Sequence, residues 1–306
     1  MRYILLTLSL FWLPSLASGQ SEAPDITKIA AAYETWEADP KSRKKVKALK
    51  QALAEYNSDP TVETVTAHIS LLSHSVENDR PRVIRETALA AVEHLEPVAE
   101  IVPKPYGEAA YVAAISLFNH RQNPDAMLEM AEVEGRMSAL RDDAGDRPDY
   151  AEKLYWQAQA WRGAMEAYFV STDSSYRIDE DGIDAILEKW ETTDTQINAE
   201  ANDGDQQREG LPFCEGRLIQ SPKMKYPRGN ARKGMFGSLI VRFAFDADGS
   251  VIRPEILASI PIEGFEADVK KTVQQWTWEA SDPLAVDKTC TLSRENLIQQ
   301  FIFALY

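Results

Sequence analysis

Between residues 25 and 194, apolar side chains return every three or four positions, the spacing of one face of an α-helix. Val46, Leu49, Leu53 and Tyr56 mark one such face, and Val62, Val65, Ile69, Leu72 and Val76 mark the next. Leu154, Ala158, Trp161, Met165 and Tyr168 mark a later one. Asp39-Pro40, Asp59-Pro60 and Asn123-Pro124 each put an N-capping side chain before a proline suited to the first helical position. Asp79-Arg80-Pro81 and Asp146-Arg147-Pro148 are looser versions. Together they predict about eight helices, near 25–38, 41–57, 60–77, 81–97, 105–120, 124–141, 148–171 and 179–193.

The period then changes. Residues 195–210 are polar and glycine-containing, which marks a linker between a helical domain over 20–194 and a C-terminal domain over 211–306. Beyond it, Leu239, Val241, Phe243 and Phe245 alternate with Ile240, Arg242 and Ala244, the pattern of a strand with its stronger apolar face inward. Asp246-Ala247-Asp248-Gly249 is a hairpin turn, and Val251 to Leu257 is the return strand. Pro254 cannot donate a ladder hydrogen bond, so its amide side is expected at an edge or a bulge. Phe265, Val269, Val273 and Trp276 share a helix face that can cover the sheet, and Leu297 to Leu305 is the final strand. The expected class is α+β: an all-α array, solenoid-like or a bundle, followed by a small β-β-α-β domain. Two-helix units of about forty residues suggest a tetratricopeptide-like solenoid. The Trp-x-x-Leu-Gly pattern of that repeat is missing. An irregular bundle is the other reading.

Charge adds an asymmetry. Residues 1–210 hold 21 Lys and Arg against 37 Asp and Glu, whereas residues 211–306 hold 12 against 11. An acidic body argues against DNA or RNA as a partner, because phosphate binding needs a basic face. Arg2, the apolar run Tyr3 to Leu13, Pro14 and the small residues Ala17-Ser18-Gly19 read as a signal peptide over 1–19. The run is about half the ~20 residues that span a bilayer as a helix. Export follows, with an uncleaved membrane anchor as the rival.

Export in turn changes how Cys214 and Cys290 are read. They are the chain's only cysteines, and an oxidising compartment favours a disulfide over two free thiols or a metal pair. No cofactor or metal site is indicated. His68, His74, His94 and His120 make no His-Glu-x-x-His and no pairing with cysteine at ligand spacing. Neither a Gly-x-Ser-x-Gly elbow nor a phosphate-binding glycine loop occurs. Asp246-x-Asp248-Gly249 lacks the glutamate that closes a calcium loop, since Leu257 holds that place. Met127, Met130 and Met137 follow helical spacing and read as core, and Tyr155, Trp156 and Trp161 read as packing. An enzyme is not expected.

Tyr226-Pro227, Ala231, Gly234, Gly237, the Leu239–Phe245 strand, Asp248-Gly249, Phe265, Trp276 and Trp278 form an ordered set. The stretch from Ser221 to Leu305 that carries them resembles the C-terminal domain of the TonB family, the periplasmic end of the energy transducers of Gram-negative outer-membrane transport. The resemblance implies a small sheet on one helix, periplasmic placement or an inner-membrane anchor facing the periplasm, and outer-membrane β-barrel receptors as protein partners. It also implies a mode of action, in which an extended partner segment pairs with the last strand beside the Tyr-Pro segment. Position by position, it points to Met224, Lys225 and Tyr226 ahead of the sheet and Ile298, Gln300 and Ile302 on the last strand as partner-binding residues. Which face of that strand points outward stays open, because Gln299 shares its parity with Leu297, Phe301 and Phe303.

The chain departs from a transducer in having no proline-rich span; its 16 prolines are scattered. The leading expectation is a periplasmic protein that binds an envelope partner by strand addition, with a role in TonB-dependent transmembrane transport if the N-terminal segment is retained. The alternative is a non-transducing scaffold of the envelope whose helices make the protein–protein contacts.

Overall fold

The computed structural model describes residues 24–142, 148–172, 178–190 and 211–305. The expected signal peptide over 1–19 and linker over 195–210 lie outside the described residues. The fold is α+β, a run of helices followed by small antiparallel sheets. Two compact units divide it, residues 1–126 and 127–306. They do not coincide with the stretches 20–194 and 211–306 marked by composition, because the helix over 149–171 packs on the three-stranded sheet.

In the first unit, α1 (Pro24–Glu37), α2 (Arg43–Ala54), α3 (Val62–Asn78), α4 (Pro81–Leu95) and α5 (Pro103–Arg121) follow the expected order. Each packs on a neighbour in sequence, and Ile29, Trp36, Leu49, Leu53, Tyr56, Ala67 and Leu71 close one core beneath α1 to α3. Two starts differ from the Asp-Pro expectation. Thr61, not Asp59, caps α3, through a reciprocal pair of hydrogen bonds with Thr64, and α2 begins after Ser42. The Thr61 hydroxyl, one residue ahead of α3, accepts from the Thr64 amide, which the more distant Asp59 does not reach, whereas the Ser42 side chain makes no capping bond to α2. His68 is buried and stacks on His94 with ring centroids 4.5 Å apart.

The second unit holds α6 (Asp125–Asp142), which starts at the division, α7 (Asp149–Ser171) and α8 (Glu180–Trp190). Then come β1 (Gly216–Ile219), α9 (Arg228–Arg232), β2 (Gly237–Phe245), β3 (Val251–Ile260), α10 (Glu266–Val273), β4 (Thr277–Ala280) and β5 (Arg294–Phe303). The three-stranded sheet has the order β3-β2-β5, antiparallel throughout, and β1 pairs with β4 in a separate ribbon. That ribbon was not expected from the sequence. Its strands are four residues each, too short for alternation to register. The turn after β2 forms as read, with Gly249 at φ 79° and the Asp248 carboxylate accepting from the Ser250 amide at 2.8 Å. Pro254 sits in a bulge of the edge strand β3, between the pairs Arg242–Glu255 and Ala244–Ile252.

One face of the sheet carries Leu239, Val241, Phe243 and Phe245 against Phe265, Val269, Val273 and Trp276, as the alternation predicts. The other face departs from the expectation of a single inward face. Ile240 and Ala244 are buried too, and Arg242 is the one β2 position not fully buried. Helix α7 covers that face, placing Trp156 and Ala160 on Ile240 and Ala258.

Candidate functional site: the free edge of β5

β5 pairs with β2 from Gly237–Phe303 to Phe245–Arg294, and among the described residues no strand pairs with its other side. An antiparallel edge of this kind presents unpaired backbone N–H and C=O groups along its length. Asn296, at φ 56°, lies where the register shifts between Phe243–Leu297 and Phe245–Arg294. Asparagine tolerates that conformation better than most residues, so the bulge bends the strand at its start and leaves Leu297 to Phe303 as the regular stretch.

The structure settles the parity left open by the sequence. Leu297, Phe301 and Phe303 pack on the α10 side. Ile298, Gln300 and Ile302 lie on the side facing α7, where the two isoleucines stay 46% and 42% exposed. Gln300, named as a partner-binding candidate, has its side chain engaged within the fold. Its side-chain amide donates to Ser238 Oγ at 3.0 Å and to the Gln159 carbonyl at 3.3 Å. A polar side chain at a helix–sheet contact has to find partners there, and these two hold it.

The candidates ahead of the sheet divide in the same way. Lys225 is exposed, whereas Met224 is half-buried against the main core. The Tyr226 ring stands edge-on to both Phe265 and Phe303, each at 5.8 Å, and those two rings stack at 4.2 Å. The tyrosine thus ties the 222–227 segment to the end of β5. Its buried hydroxyl has no hydrogen-bond partner among the described residues, and burial pushes its pKa up. A disulfide joins Cys214 to Cys290 across 76 residues and fixes the segment ahead of β1 to the one leading into β5. The Cys214 amide donates to the Thr291 carbonyl at 2.9 Å beside it.

Sequence reasoning missed the contribution of α7. Gly163 stands where a Cβ would fall 2.6 Å from Ser238 Oγ and closer still to the Gln300 amide, so only glycine permits this approach. The Ser171 hydroxyl accepts from the Leu305 amide at 2.7 Å, just beyond β5. Arg242 bridges Glu152 of α7 at 3.4 Å and Glu255 of β3 at 2.9 Å. A usable signal was present: Ala160, Gly163, Ala164, Ala167 and Ser171 form a stripe of small residues at helical spacing. Among the described residues no cluster of three His, Cys, Asp or Glu is arranged to hold a metal, and no helix is long and apolar enough to cross a membrane.

These features define a small sheet-and-helix module with an open sheet edge. Residues 222–293, about a quarter of the chain, match the model of the family described as Gram-negative bacterial TonB protein C-terminal. That family is a non-enzymatic protein-interaction domain of Gram-negative envelope proteins. The matched segment runs from the Tyr226-Pro227 region through β4 and stops one residue short of β5. No curated protein matches the chain.

Proposed function

We propose that the C-terminal module binds an extended segment of an envelope protein in the periplasm, by adding it as a strand along β5. The observation that carries this reading is the unpaired side of β5, a regular strand at the sheet edge with Tyr226 beside its end. Backbone hydrogen bonds supply affinity in this mode, and side chains flanking the edge supply selectivity. Ile298 and Ile302 offer apolar contact on the α7 side of an added strand. Lys225, exposed ahead of the sheet, would offer a positive charge to a carboxylate of the incoming segment. No bond of the partner is made or broken. The partners favoured by the family match are outer-membrane β-barrel receptors, in the setting of TonB-dependent transport.

The test is a photo-crosslinker at Ile302 in the full chain, with captured proteins identified by mass spectrometry. Recovery of an outer-membrane receptor, lost when Ile298→Lys is added, supports strand addition at this edge. Crosslinks confined to the protein's own chain would sink it.

A further inference from the structure

Helix α2 breaks the charge pattern of everything around it. Residues 24–126 contain twelve Lys and Arg, and six of them fall within residues 41–50: Lys41, Arg43, Lys44, Lys45, Lys47 and Lys50. No acidic residue occurs between Asp39 and Glu55. The helix turns Leu49 and Leu53 into the core beneath α1 and α3, which directs the cations outward. Lys45 pairs with Asp39 at 3.5 Å, and Lys50 approaches Asp79 at 4.0 Å. The exposed Lys41, Arg43, Lys44 and Lys47 have no ion pair among the described residues.

This arrangement works against the helix that carries it. Arg43, Lys44 and Lys45 occupy the first turn, where no acidic side chain is present and the helix dipole is positive. Arg43 and Lys47 lie four residues apart on one face, as like charges that repel. Stability alone favours acidic residues in that turn. A local conflict of this sort is expected where a surface serves a purpose other than folding.

We infer that the exposed face of α2 docks on the anionic headgroups of a lipid bilayer. Charge complementarity selects the class of ligand, since clustered cations on an amphipathic helix attract anionic lipid. The shape narrows it further. The patch is a convex ridge about 15 Å long, with small Ala48 between its cations, polar Gln51 just beyond them and no aromatic side chain for stacking bases. A ridge of this kind suits a diffuse charged plane. The apolar face of α2 is spent on the core, so the contact rests on charge and weakens with salt.

The test is co-sedimentation of the full chain with vesicles of phosphatidylcholine alone or with about a third phosphatidylglycerol, at low and at physiological salt. Binding is expected only with phosphatidylglycerol, falling as salt rises. The double variant Lys44→Glu, Lys47→Glu should lose at least about fivefold per charge, while Lys270→Glu on α10 should bind as the parent does. Circular dichroism of both variants checks that the helices persist. Equal partition onto both vesicle types, or undiminished binding by the double variant, overturns the inference. So does retention on immobilised heparin without vesicle binding, which assigns the patch to a soluble polyanion.

Discussion

The side-chain amide of Gln300 on β5 donates a hydrogen bond to the Gln159 carbonyl oxygen of α7, 3.3 Å away. The helix therefore helps to set the strand at the sheet edge, and Gly163 is the residue that lets it come close enough. Gly163→Val should push α7 off the sheet and destabilise the protein by about 1–3 kcal/mol, the usual cost of overpacking. Chemical denaturation measures the loss, and hydrogen exchange should show faster opening of β5. An unchanged midpoint would mean that α7 is not held at this distance.

Glu134 on α6 and Arg162 on α7 form a two-point ion pair, at 2.7 and 3.1 Å, with the glutamate side chain only 5% exposed. Glu134→Ala should cost about 3 kcal/mol, because it removes the two-point partner of a largely buried guanidinium and leaves it only the neighbouring Glu166. The double variant Glu134→Met, Arg162→Met should recover much of that loss. Urea titrations of the two variants decide the matter, and equal losses would contradict it.

Reduction of Cys214–Cys290 removes a link that closes a loop of 76 residues. The chain-entropy estimate for a loop of that size is about 4 kcal/mol. The pair Cys214→Ser, Cys290→Ser should lower the urea midpoint to the same degree as dithiothreitol does for the parent chain. Thiol labelling of denatured, unreduced protein should find neither cysteine free.

Stability should also fall in acid. Burial, aided by the neighbouring His94, lowers the His68 pKa from 6.5 to about 3, and burial lowers that of His94 as well. Below pH 6.5 the unfolded chain binds protons that the folded chain refuses, so stability drops as pH falls from 6.5 towards 3. The slope reaches at most about 1.4 kcal/mol per pH unit for each histidine. Unfolding midpoints at pH 7.5 and 5 measure it, and His68→Phe should flatten the dependence. A profile flat between those values in the parent chain would refute the burial argument.

The helices were legible because their apolar faces repeat at a spacing that no strand shares, and every expected helix has a counterpart between α1 and α8. The main sheet was legible for the same reason, from Leu239 to Phe245 and from Phe265 to Trp276. What the pattern concealed was the second face of β2. Ile240 and Ala244 are apolar, but so are many half-exposed strand residues, and only the helix that covers them gives them meaning. Gln300, to which the resemblance pointed as a partner-binding residue, is also a tether to α7, a contact that its place on a terminal strand does not reveal. The ribbon of β1 and β4 joins residues 216–219 to 277–280, a long-range pairing that local periodicity does not register.

The helix lying on the back of the sheet has a practical corollary. The polar stretch 195–210 invites a cut there, and a fragment starting at Leu211 would keep every strand. It would also strip the cover from Ile240 and Ala258 and leave Gln300 and the Leu305 amide without the groups that hold them. Such a fragment would tend to self-associate through its bared surface and mimic ligand capture. A faithful minimal version begins no later than Asp149, at the head of α7.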